Sequence, residues 1–204
     1  VVTAVTAPPS APSNLVAGVI TSTTAAINWR DNSTTEMGFR VERKTGAFGT
    51  YSLITSLPAG TTVYLDKGSL ALGLSPGMIY YYRVYAYNGA GNSGYSNELN
   101  VATLSLPVIT GLNPTHAPSG TNVNITGNNF GNVQDNSYVK FSNKNITSVI
   151  SWSNTTITVT VPAGTVSGNV KIVTFAGESN SYYFTLDTIP AAPAGLTASA
   201  FSSS

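Results

Sequence analysis

Cysteine is absent from the 204 residues. No disulfide can staple the chain, and thiol catalysis, zinc–thiolate sites and iron–sulfur ligation are excluded. Charge is scarce: nine Lys and Arg against eight Asp and Glu make up 8% of residues and leave a net charge of +1. A surface so nearly neutral lacks the electrostatic footprint of a nucleic-acid or anionic-membrane partner. His116 is the one histidine. It lies in the turn Pro114–Pro118, and no G-x-S-x-G elbow accompanies it, so it reads as a solvated loop residue rather than part of a triad. The acids are scattered, and neither Asp31-Asn32 nor Asp135-Asn136 has calcium-loop spacing. Runs of 18 apolar residues are missing, so nothing inserts in a membrane as a helix. The chain opens at Val1 with no signal-peptide pattern. Catalytic, cofactor-binding and metal-binding residues are therefore expected to number none, and the chain reads as not an enzyme.

What is present is apolar and turn-rich. Hydrophobic residues make 42% of the chain, with eleven tyrosines and 19 glycines. That content argues for packed β-structure over disorder. No stretch keeps helical periodicity over three turns. Short alternating runs recur instead, such as Ala25–Trp29, Val123–Ile125, Thr156–Val161 and Val170–Ile172. Between them stand turn signals such as Ala59-Gly60, Pro76-Gly77 and Asn88-Gly89. The pattern predicts an all-β chain of two tandem immunoglobulin-like β-sandwiches, in an extended rod.

The ends carry a repeat. Pro9-Ser10-Ala11-Pro12-Ser13-Asn14-Leu15-Val16-Ala17 returns as Pro190-Ala191-Ala192-Pro193-Ala194-Gly195-Leu196-Thr197-Ala198, with both prolines, the leucine and the last alanine coinciding. The expected division is residues 1–6 as the end of a preceding repeat or an added strand, then sandwiches over 7–104 and 105–186. Residues 187–204 are expected to form a linker and the first strand of a next repeat.

The first half resembles a fibronectin type III domain. Trp29 ends the second strand where that family places its core tryptophan, and Gly38–Arg43 matches the third strand. Leu74-Ser75-Pro76-Gly77-Met78-Ile79-Tyr80 matches the family's tyrosine corner. The resemblance implies that the Tyr80 hydroxyl bonds a backbone group across that corner. The second half resembles the IPT/TIG immunoglobulin-like family through Leu112-Asn113-Pro114, Ser119–Gly131 and Ile157–Pro162. Val123 and Ile125 are expected to face one way, Gly127 to permit a turn, and Phe130 to fold back over the sheet. Trp29, Leu74, Tyr80, Gly127 and Phe130 are the structural residues. The short, apolar junction Thr103–Pro107 and the Pro-containing stretch after Leu186 are expected to be stiff.

One surface feature stands out. With Tyr80, Tyr82, Val84 and Ala86 pointing inward, Tyr81, Arg83, Tyr85 and Tyr87 form an outward ladder that Tyr95 extends. Such a stripe could stack a sugar or dock a neighbouring chain, although tyrosines also stabilise sheets with no partner at all. Arg40, Arg43, Lys44 and Arg83 are expected to cluster, with Glu42 and Glu36 in reach. Trp152 is expected half-buried at a sheet edge, or exposed as a sugar platform. Asn32, Asn124, Asn145 and Asn154 open N-x-[ST] triplets, which chance explains in so polar a chain. Lys140, Lys144 and Lys171 against Asp135 and Glu178 leave too little charge for a DNA-binding second domain.

The two resemblances imply a non-catalytic, extracellular or cell-surface module, bacterial in type: a spacer, stalk or filament-building repeat. Its partners would be adjacent repeats or other copies of the same protein. The alternative is a carbohydrate-binding or adhesion module, with polysaccharide as ligand.

Overall fold

A computed structural model describes residues 7–68 and 72–188; residues 1–6 and most of the expected C-terminal linker and strand, 189–204, lie outside the described residues. Among those described there is no helix. They fall into two compact units, one running to Pro107 together with Val173–Ser179, the other Val108–Ile172 with the residues from Asn180 on.

The first sandwich has strands β1 (Ser13–Ile20), β2 (Ala25–Arg30), β3 (Gly38–Thr45), β4 (Ser52–Pro58), β5 (Val63–Asp66), β6 (Ile79–Asn88), β7 (Gly91–Asn92) and β8 (Leu99–Ala102). One sheet runs β1-β2-β5; the other runs β4-β3-β6-β7, with β8 also on β6. Alternation decides which side chains enter the core. Ala25, Ile27 and Trp29 of β2 face Phe39 and Val41 of β3 and Tyr80, Tyr82, Val84 and Ala86 of β6, all of them buried. The Trp29 and Phe39 rings meet at 5.8 Å. Each of the larger side chains among them, such as Ile27, Phe39 and Val41, stabilises the fold by about 1.5–3 kcal/mol when removed from water. The tyrosine corner forms as the resemblance implied: the Ser75 N–H donates to the Tyr80 hydroxyl at 2.9 Å, and Leu74 is buried beside it.

The second sandwich has β9 (Val108–Asn113), β10 (His116–Ala117), β11 (Asn122–Asn128), β12 (Tyr138–Phe141), β13 (Lys144–Ile146), β14 (Ser151–Trp152), β15 (Thr156–Thr160), β16 (Gly168–Thr174), β17 (Gly177–Glu178) and β18 (Tyr182–Leu186). Its sheets are β14-β15-β11-β9 and β10-β18-β16-β12-β13, with β17 on β16. Val123 and Ile125 do share the inner face, and Val139, Phe141, Val170, Ile172 and Phe184 meet them from the opposite sheet. The pair β10 and β18 is parallel, placing His116 beside Thr185.

Two expectations need correcting. Gly127 is not a turn residue: it lies inside β11, and its role is close approach. A Cβ there would come 2.0 Å from the Val108 carbonyl oxygen and 2.5 Å from the Phe130 ring. Phe130 folds back over the sheet as expected, but the backbone reversal belongs to Asn129 and Gly131, both at positive φ. His116, read as a loop residue, sits in the short strand β10 and stays exposed, its Nδ1 at 2.9 Å from Asp187.

Two substitutions test these cores by chemical denaturation. Trp29→Ala is expected to cost about 3–5 kcal/mol in the first sandwich. Gly127→Ala is expected to cost about 1–3 kcal/mol in the second, because the clash is with backbone and overpacking of this kind forces a shift.

Candidate contact surface

The register of β3 on β6 sets the outward ladder. Lys44 stands opposite Tyr81, Glu42 opposite Arg83, Arg40 opposite Tyr85, and Gly38 opposite Tyr87. The expected alternation thus holds, and it brings three cations against aromatic partners. Arg83 is clasped between two rings, 4.0 Å from the Tyr51 centroid and 3.7 Å from that of Tyr95. Lys44 lies 4.9 Å from Tyr51 and 4.7 Å from Tyr81. Arg40 covers the Tyr87 ring at 4.5 Å. A Cβ at Gly38 would come 2.2 Å from the Leu57 carbonyl oxygen and 3.1 Å from the Tyr87 ring, so only glycine fits opposite Tyr87. The Tyr85 and Tyr95 rings meet edge-on at 5.3 Å.

The acids close the face. Glu42 accepts from Arg83 Nε at 2.7 Å and pairs with its Nη2 at 2.6 Å. Glu98 accepts from the Tyr51 hydroxyl at 2.5 Å and pairs with Lys44 at 3.4 Å. The Tyr51 hydroxyl bond holds the Glu98 carboxyl below its ordinary pKa, with Lys44 adding to the effect. Burial first, then Glu98, pushes the Tyr51 phenol up. Three cations and two anions on this face leave little field to attract a charged ligand.

Tyr85 corrects the expectation of an open ladder. It is only 8% exposed, because Tyr95 packs on it. Tyr81, Arg83 and Tyr87 are half-buried, and Tyr95 alone of the five keeps a broad free side, at 47%. Trp152 belongs to the second unit and is half-buried, as its sheet-edge reading had it. Its indole N–H donates to the carbonyls of Phe130 and Gly131, both at 3.1 Å, so it ties the Phe130 loop down. Tyr51 was not anticipated: it lies outside any strand, and only the return of the β3–β4 hairpin brings it under Arg83.

Of the basic cluster, Arg43 points the other way. Its Nη1 meets Asp66 at 2.6 Å, and the Tyr82 hydroxyl donates to the same carboxylate oxygen at 2.9 Å. The Gly68 N–H donates to the other oxygen at 2.8 Å. Asp66, 2% exposed, ends β5, so this cluster bridges the two sheets. Burial alone would lower the Arg43 pKa, but the Asp66 carboxylate wins and raises it. Burial, then Asp66, drives the Tyr82 phenol far above the ordinary tyrosine range. Glu36 pairs with none of these cations; its Oε1 accepts from the Gly60 N–H at 3.3 Å. A lone Asp before a long connection gave no sequence signal of burial.

No set of three or more His, Cys, Asp or Glu among the described residues could hold a metal ion. Among the described residues, no helix is long and apolar enough to cross a membrane.

Removing Asp66 leaves Arg43 without its buried partner, so Asp66→Ala is expected to cost about 3 kcal/mol. Arg83→Ala, on the half-exposed face, is expected to cost about 1 kcal/mol. Urea denaturation of both separates the two. Alkaline pH reports on Tyr82 and Tyr51. Their folded pKa values exceed the unfolded one, so their contribution to stability is whole below about pH 10 and is lost as pH rises further. Denaturation midpoints measured from pH 8 to 12 should fall only above about pH 10.

The comparisons with known proteins agree with this anatomy. Residues 10–102 match the model of the fibronectin type III domain, and residues 107–188 match that of the IPT/TIG domain. No curated protein matches the sequence. Among solved structures, the chain is similar to chicken CNTN1 FN1-FN3 domains at 16% identity and TM-score 0.42, covering 89% of this chain and 68% of that one. An Fn3-like protein from Clostridium thermocellum is 26% identical at TM-score 0.39, over 49% of this chain and 98% of that one. The FN5 domain of Drosophila Lar is 19% identical at TM-score 0.38, over 48% and 98%. The chain carries a fibronectin type III domain followed by an IPT/TIG domain, both from families that are not enzymes.

Proposed function

We propose that this chain is a spacer: a stalk or filament-building repeat of a bacterial surface or secreted protein, whose partners are adjacent repeats or other copies of itself. One observation carries the reading. The face richest in recognition chemistry spends that chemistry on itself, with Arg83 clasped by Tyr51 and Tyr95 and paired to Glu42. A sugar would have to part stacked rings and desolvate an ion pair to bind there, and neither loss is recovered from a neutral ligand. The bacterial and extracellular parts of the reading rest on the family resemblance.

The repeat supports an array. In the first sandwich, Pro9, Pro12 and Leu15 are the buried residues of the segment leading into and along β1. Those are the positions that return, in sequence, as Pro190, Pro193 and Leu196. Asn14 has a φ of 53°, and glycine, which tolerates such a φ, stands at the matching position 195. Selection for the same slot explains this better than composition does.

The carbohydrate-binding alternative draws on the free side of Tyr95. A glycan array decides between the two: no binding is expected, and binding lost in Tyr95→Ala would overturn the spacer reading.

A further inference from the structure

The same device recurs in both sandwiches, although their sequences differ. In the first, the Asn97 carboxamide accepts from the Leu15 N–H at 2.9 Å and donates to the Leu15 carbonyl at 2.9 Å. In the second, the Asn180 carboxamide accepts from the Ile109 N–H at 2.7 Å and donates to the Ile109 carbonyl at 3.0 Å. Each asparagine stands two residues ahead of the last strand of its sandwich, β8 or β18. Each target is a buried residue near the start of the first strand, β1 or β9. The first and last strands belong to opposite sheets, so each carboxamide crosses from one sheet to the other.

Each target sits at a register shift in the ladder of its first strand. The β1–β2 register shifts between Ser13 and Val16, the stretch that contains Leu15. The β9–β11 register shifts at Thr126 and Gly127, and Gly127 is opposite Ile109. A carboxamide has one donor and one acceptor side by side, as a strand's backbone does, so it substitutes for a missing neighbour. Asn97 is itself anchored: the adjacent Ser96 exchanges bonds with Val84 of β6, its N–H donating at 2.8 Å and its hydroxyl accepting at 3.1 Å.

We propose that the first strand of each sandwich can open separately from the rest, and that Asn97 and Asn180 are positioning residues that gate its release. This holds whether or not the chain serves as a spacer. It matters most in an array, where an opened strand leaves a slot and an unpaired sheet edge beside copies of the same strand.

Native-state hydrogen exchange on the full chain tests the gate. In Asn97→Ser, the hydrogen-bonded amides of β1 are expected to exchange together, roughly tenfold faster or more, while those of Val41 in β3 and of β9 keep their rates. Asn180→Ser should do the same to β9 and leave β1 unchanged. Acceleration of Leu15 alone would overturn the proposal, because β1 would not be moving as a unit. Equal acceleration throughout the sandwich would overturn it too, because release would then be global unfolding. Asn97→Asp supplies a variant that changes almost no volume. Its ionised carboxylate faces the Leu15 carbonyl and should speed β1 exchange at neutral pH. Below about pH 4 the protonated acid can donate again, and β1 should return towards the wild-type rate at the same pH. A β1 effect indifferent to pH would count against the carboxamide as the gate.

Discussion

With no covalent bond between its sheets, each sandwich depends on alternating apolar side chains meeting across a gap of about 10 Å. This constraint explains the sequence more than any other. It dictates the two-residue period in β2, β6, β11 and β15, and it puts Trp29, Phe39, Tyr82, Phe130, Phe141 and Phe184 among the largest buried side chains of the two cores. It also explains why the few charges are so unevenly used. A chain with 8% charged residues still buries one carboxylate, Asp66, and satisfies it from Arg43, Tyr82 and Gly68. That cluster ties sheet to sheet where a disulfide is unavailable, and its geometry is specific in a way that apolar contact is not.

The outward face of β3 and β6 shows the same economy applied to the surface. Aromatic rings and cations are the usual materials of a binding site. Here they alternate as Tyr81, Lys44, Tyr51, Arg83 and Tyr95, and each cation already has its rings. Stacking of this kind lets tyrosines remain on a sheet surface without presenting a sticky patch. The face leaves the free side of Tyr95 as its open platform.

Much of this was legible in the residues. The tyrosine corner could be read because Leu74 and Tyr80 are fixed by local geometry, a turn of known length entering a strand. The ladder on β6 could be read because side chains alternate along any strand. Burial of Tyr85 could not, since it depends on Tyr95 crossing over from an irregular segment ten residues on. Gly127 was recognised as important for the wrong reason: its spacing resembles a turn, while the contact that excludes a Cβ comes from Val108 and Phe130. Asp66, Asn97 and Asn180 carried no signal, because single polar residues near strand ends are ordinary in sequence.

The amino-acid order by itself determined the all-β class, the two families, their order along the chain and core residues such as Trp29, Leu74, Tyr80, Val123, Ile125 and Phe130. These follow from periodicity and from local turn chemistry, which act between near neighbours in the chain. Only the tertiary structure decided which polar groups meet: Arg43 with Asp66, Asn97 with Leu15 and Asn180 with Ile109 between sheets, and Arg83 with Tyr51 and Tyr95 on the outer face of one sheet. Apart from Tyr95 on Arg83, each of these contacts joins residues more than 20 positions apart, where strand pairing and sheet packing, not local pattern, set the distance.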